Sequence, residues 1–182
     1  ADIPMHNIIP ENTTRGTEIT ESNFYPKFGI FGYFYDINQS WSANGSSLSP
    51  ETSINNLEVT RSDNSWTTNV YWPGASKKAT FFAYAPYKSD IVLKSTSGTP
   101  KFDYTVPTEI DNQEDLLVAK SDENIVCDGK TSVALNFTHV LSAIKFVKGE
   151  TPGYKEIKEI KISGVYNKGT LNMDSQSWES AD

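Results

Sequence analysis

Between Tyr71 and Tyr87 the chain reads YWPGASKKATFFAYAPY: two aromatic runs, a polar turn between them, and a proline closing each run. This segment constrains the fold more than any other. Aromatic and β-branched residues fit the pleated, half-buried surface of a sheet. Strand side chains alternate between faces, so Phe81, Ala83 and Ala85 share one face and Phe82 and Tyr84 the other. Pro73 and Pro86 fall where a strand ends and no ladder N–H is needed. The segment predicts a strand in an aromatic wall, with rings paired across an antiparallel ladder.

The same grammar recurs along the chain. FGIFGYFYD (28–36) reads as a buried strand, and NQSWSANGSSLSPETSIN (38–55) as a Ser/Asn/Gly-rich loop. LEVTRSDNSWTTNVYWP (57–73) is a hairpin turning at SDNS, with Trp66, Thr68, Val70 and Trp72 on one face. FDYTVP, DLLVAK and NIVC are short strands, and EIDNQED is a turn or a single helical turn. SVALNFTHVLSAIKFVKG (132–149) predicts two strands around a crossover near Val140–Ala143. EIKEIKISGVYNKGTLNMDSQSW (156–178) predicts a hairpin turning at NKG. Residues 1–23 form an extended arm or edge strand, because Pro4 and Pro10 interrupt a ladder. Many short strands with regular turn signals make an all-β sandwich of mostly antiparallel strands over 24–182. A chain of 182 residues suits one such domain.

Charge and chemistry narrow the function classes. The net charge is −7 and no basic block stands out, so the basic face that nucleic acid requires is missing. No apolar stretch approaches the roughly 18 residues of a membrane span. The one cysteine, Cys127, excludes an internal disulfide framework and reads as an inert, half-buried thiol. Of the two histidines, His6 lies in the arm and His139 reads as a core histidine. No converging metal ligands, phosphate-cradling loop or nucleophile elbow is visible, so neither catalysis, a cofactor nor a metal is expected. Glu109, Asp111, Glu114 and Asp115 cluster with the wrong spacing for an EF-hand, leaving only a looser calcium site open. Trp41, in the 38–55 loop, is the candidate ligand contact, since loops expose their residues and an exposed indole stacks on sugars. That motivates a glycan-binding module as the alternative function.

Taken in order, TRGTEIT, FGIFGYFYD, YWP, FFAYAPY, YTVP, NQEDLLVA, VALNFTHVLSAIKF and IKISGVYNKGTLN resemble the Mfa-like/fimbrillin family of Bacteroidales surface proteins, the type V pilins and their relatives. The resemblance covers residues 14–178. It implies a transthyretin-like β-sandwich and a non-enzymatic fimbrial subunit or fimbrillin-like adhesin. It also implies export to the outer membrane and cell surface, with a lipid anchor in the precursor. Partners are then other fimbrial subunits, joined by strand exchange, and host or bacterial surface receptors or glycans. By the same resemblance an Arg-specific protease cuts between Arg15 and Gly16, and Ile3, Met5, Ile8 and Ile9 fill the groove that the cut opens. Family members usually carry two sandwiches; this chain resembles the first, and the second is expected to be absent from it.

Overall fold

Alternation decides which strands face one core and which face two. In Val133–Asn136, Val133 and Leu135 are buried while Ala134 and Asn136 are exposed, so one face meets solvent. In Lys77–Ala85 every residue from Ala79 onward is buried, so both faces are covered. The computed structural model that resolves this describes residues 5–8, 19, 23–63, 65–142, 144 and 159–181. Its strands are β1 (Met5–Ile8), β2 (Lys27–Asp36), β3 (Asn55–Ser62), β4 (Ser65–Thr67), β5 (Lys77–Ala85) and β6 (Lys101–Thr105). They continue as β7 (Leu117–Lys120), β8 (Ile125–Val126), β9 (Val133–Asn136), β10 (Thr138–His139), β11 (Lys168–Asn172) and β12 (Ser177–Ala181).

The chain builds the expected all-β sandwich, mostly antiparallel. The larger sheet runs β10-β7-β5-β2-β3-β4-β1-β9, with β8 also paired to β5. Because only Phe137 separates β9 from β10, the two ends of this order meet and the sheet closes on itself. Phe28, Ile30, Val59, Trp66, Trp72, Phe81, Leu117, Val133, Leu135 and Phe137 share the core it encloses. A smaller sheet, β12-β11-β6, covers the opposite face of β2, β5 and β7. Phe31, Tyr33, Tyr35, Trp41, Phe82, Tyr84, Phe102, Tyr104 and Leu171 fill this second core. The aromatic run at 81–84 thus serves two cores, Phe81 in one and Phe82 and Tyr84 in the other.

Three expectations change. The arm over 1–23 contains β1, and β1 is no edge strand: β4 lies on one side and β9 on the other. Its bounds fall between Pro4 and Pro10 in sequence, so neither proline interrupts the ladder. Within residues 132–142 a break falls at Phe137, between β9, which pairs β1, and β10, which pairs β7; the crossover expected near Val140–Ala143 and the strand after it lie largely outside the described residues. The last hairpin turns at residues 173–176 rather than at NKG. Asn172 fixes that turn by accepting from the N–H groups of Asp174 (2.9 Å) and Ser175 (3.2 Å) through its Oδ1. Finally, residues 159–166 are in no strand, and Ile160 and Ile162 are about half exposed.

Buried phenols fasten the second core to the loops and strands around it. Tyr33 donates to Gly98 O (3.2 Å), Tyr35 pairs with Thr80 Oγ1 (2.7 Å), and Tyr84 donates to Lys88 O (2.7 Å). Burial raises the ionisation of Tyr33 and Tyr84 above the ordinary phenol range. Burial, reinforced by the Asp115 carboxylate, pushes Tyr25 up to about 12. The folded chain therefore holds phenolic protons that the unfolded chain releases near pH 10. Their stabilisation is complete below about pH 10 and is lost as pH rises through 12. Denaturant midpoints measured across this range should fall steeply, in step with tyrosinate absorbance. A flat profile would mean that these hydroxyls are wet.

Candidate functional site

The distinctive local feature is the seat of β1. On one side, β1 runs antiparallel to β4, with Met5 opposite Trp66. On the other it runs parallel to β9 through Met5–Val133, His6–Ala134, Asn7–Leu135 and Ile8–Asn136. Both walls of the seat are held by other parts of the chain. β4 is the return arm of a tight hairpin with β3, pairing Thr60–Thr67, Arg61–Trp66 and Ser62–Ser65. The approach to β9 is set by Asp128, whose Oδ1 accepts from Lys130 N (2.9 Å), Thr131 N (3.0 Å) and Thr131 Oγ1 (3.1 Å). The two backbone hydrogen bonds hold the Asp128 carboxyl below its ordinary range.

Aromatic rings bridge the two walls. Phe24 lies 5.6 Å from the Trp66 ring and 4.9 Å from that of Phe137. Phe28 lies 5.0 Å from Trp66 and 5.4 Å from Phe137. Trp66 belongs to β4, and Phe137 follows directly on β9. Edge-to-face and tilted rings at these separations attract beyond their buried area. The walls are thus joined by side chains that belong to neither terminus.

The predicted site residues are placed unevenly. Met5 and Ile8 are the first and last residues of β1. Ile3, Ile9, Arg15 and Gly16 lie outside the described residues. Trp41 is corrected: its indole is only 4% exposed. It opens a four-residue helix, Trp41–Asn44, and its ring packs 4.9 Å from Tyr33 and 5.0 Å from Phe82. The loop folds back because its tryptophan completes the second core, so the exposure that a sugar platform needs is missing.

Several of the remaining titratable groups are in structural pairings. Glu114 meets Lys88 at 2.9 Å, while Asp115 bonds His139 Nδ1. The latter pair ties β10 to the segment leading into β7. Lys120 bridges Glu123 (2.7 Å) and Asp174 (2.5 Å), pinning the turn between β11 and β12 against the main sheet. Among the described residues no group of three or more His, Cys, Asp or Glu could hold a metal ion, and no helix is long and apolar enough to cross a membrane. Cys127 is buried just past β8, and burial pushes its thiol up to about 12, which makes it a poor nucleophile at neutral pH.

The seat itself was not legible in the sequence. A signal existed in the one-sided alternation of VALN, which demands a neighbour, but that neighbour is remote in the chain.

Comparison with known proteins identifies relatives of the whole chain. Residues 26–182 match a family model described as fimbrillin-like. The fimbrium subunit Fim1C of Phocaeicola vulgatus is 29% identical over 203 residues, covering 95% of this chain and 53% of that protein. A crystal structure of a fimbrial protein from Bacteroides vulgatus matches with a TM-score of 0.69 at 25% identity, covering 98% of this chain and 60% of that one. The chain therefore spans about half the length of the curated relative it matches.

Proposed function

The chain belongs to the fimbrillin-like family, and we propose that it is a structural subunit of a cell-surface fimbrium, joined to other subunits by strand exchange at the seat of β1. One observation carries the reading: the strand that lies before Arg15 in sequence is an interior strand of the main sheet. A cut between Arg15 and Gly16 severs β1 from the body of the chain. Once β1 leaves, the facing ladder groups of β4 and β9 lose their partners, and a strand from another subunit restores them. The Phe24, Phe28, Trp66 and Phe137 cluster spans the gap, so the domain keeps its shape while the seat is empty. In this reading the chain works outside the cell, its precursor reaches the outer membrane with a lipid anchor, and no catalysis is involved.

Limited digestion with an Arg-specific protease tests the reading. Arg61, the other arginine in the sequence, is the internal control, because it lies inside β3 and stacks over Trp66 at 6.0 Å. We expect fast, selective cutting after Arg15, followed by concentration-dependent oligomers. Resistance at Arg15, or a cut chain that stays monomeric, speaks against it.

A further inference from the structure

We propose that Lys120 and Asp174 are the two halves of a self-formed covalent cross-link, an amide between their side chains, with Glu123 as the proton carrier. The inference is independent of strand exchange.

The ion pairs of this chain are not alike. Among the described residues, Lys27, Lys88, Lys94 and Lys101 each meet one carboxylate, and their side chains are between 31% and 49% exposed. Lys120 meets two, Asp174 Oδ1 at 2.5 Å and Glu123 Oε1 at 2.7 Å, and is 21% exposed. Its ammonium lies 5.9 Å from the centre of the Phe82 ring, which covers one side of it. Asp174 Oδ1 is itself buried, and despite the short distance it makes no hydrogen bond of ordinary angle with Nζ. The amine is pressed against the carboxyl group rather than aligned as a donor to it.

Both reacting groups are held. The Asp174 N–H donates to Asn172 Oδ1 at 2.9 Å, and Asp174 Oδ2 accepts from Trp41 Nε1 at 3.4 Å. Lys120 ends β7, and the next residue, Ser121, donates its N–H to Phe81 O at 3.0 Å. Groups fixed at contact distance react as one molecule, which removes most of the entropic cost of bringing them together.

In the reaction Nζ adds to Asp174 Cγ and a C–N bond forms. The Cγ–Oδ1 bond breaks, and that oxygen leaves as water. Of the three ammonium protons, one stays on the amide nitrogen and two leave with the oxygen, so no oxidant, reductant or activating group is needed. Glu123 takes a proton from Nζ and delivers it to the departing oxygen. The Trp41 indole N–H stabilises the negative charge that gathers on Oδ2 during addition. At rest, burial works to lower Lys120, but its bonds to Asp174 and Glu123 outweigh burial and hold it protonated. Condensation is therefore slow, a step of maturation after folding. The bond joins the end of β7, in the main sheet, to the turn between β11 and β12, in the smaller one. With Cys127 as the one cysteine, no internal disulfide can do this.

The intact mass of the full chain, measured after unfolding, is the test. We expect a mass one water below that of the sequence, growing in with time after folding. A digest should contain a branched peptide that joins Lys120 to Asp174, which distinguishes the cross-link from loss of water within one segment. Lys120→Arg keeps the positive charge and should keep the full mass. Glu123→Gln leaves both reacting groups in place and should lose the water about a hundredfold more slowly. A parent chain that retains its full mass on prolonged incubation overturns the proposal, as does loss of water without the branched peptide. Equal rates in the parent and Glu123→Gln overturn the role given to Glu123.

Discussion

Trp41→Ala lowers the stability of the chain by about 3–5 kcal/mol, the range for truncating a buried aromatic side chain. The indole wedges between Tyr33 and Phe82, two rings of the second core. It also fastens its loop at two further points. Its backbone N–H donates to Asn124 Oδ1 at 3.0 Å, and its Nε1 donates to Asp174 Oδ2 at 3.4 Å. Removing the ring leaves a cavity that the neighbouring strands cannot close, since β2 and β5 are held by an eight-residue ladder from Gly29–Tyr84 to Asp36–Lys77. It also takes one donor from Asp174, which anchors Lys120. Urea unfolding followed by circular dichroism measures the loss. A change below about 1 kcal/mol, the scale of an ordinary surface substitution, would mean that the loop is not part of the core.

Gly29→Ala costs about 3 kcal/mol for a different reason, overpacking rather than a void. A Cβ on Gly29 would lie 2.3 Å from Tyr84 Cε1, 2.5 Å from Cζ and 2.7 Å from the hydroxyl. The tyrosine cannot step aside. Its hydroxyl oxygen is held 2.5 Å from Asn56 Oδ1 and 2.7 Å from Lys88 O, two acceptors for its one proton. Asn56 is itself fixed, with φ of 58° and its Nδ2 donating to Lys88 O (3.1 Å) and Ile91 O (3.0 Å). Conflict between two side chains is a coupling, so it shows in a double-mutant cycle. Gly29→Ala with Tyr84→Ala should cost clearly less than the sum of the single changes. Strict additivity would mean that the methyl group is accommodated by the backbone.

Both positions show what sequence patterns reveal and what they leave out. FGIFGYFYD and FFAYAP announce strands, and their alternation assigns each residue to a face. Alternation cannot say that both faces are covered, because that depends on the smaller sheet formed from residues 101–105 and 168–181. Trp41 sits in a stretch of Ser, Asn and Gly whose composition reads as an exposed loop. Its burial comes from Tyr33 and Phe82, which no local rule connects to it. NKG is the stronger turn signal in isolation, but the Asn172 side chain captures the next backbone donors and moves the turn to 173–176. Short β1 was the hardest element to read. Its prolines suggest an edge, while its place is decided by a parallel partner far along the chain. The family was legible because it resides in the order of motifs, which tolerates such local errors.

β1 lies between β4 and β9 in the main sheet, and the proposed strand exchange requires that it can be removed from there. Amide hydrogen exchange across Val133–Asn136, before and after cutting at Arg15, tests this most directly. Protection is expected in the intact chain, with loss once the N-terminal segment has left and recovery when a matching strand is supplied. Amides of Phe81–Ala85, in the middle of the sheet, should stay protected throughout. Unchanged protection of Val133–Asn136 after the segment has gone would mean that β9 does not depend on β1 and that no strand is needed in its place.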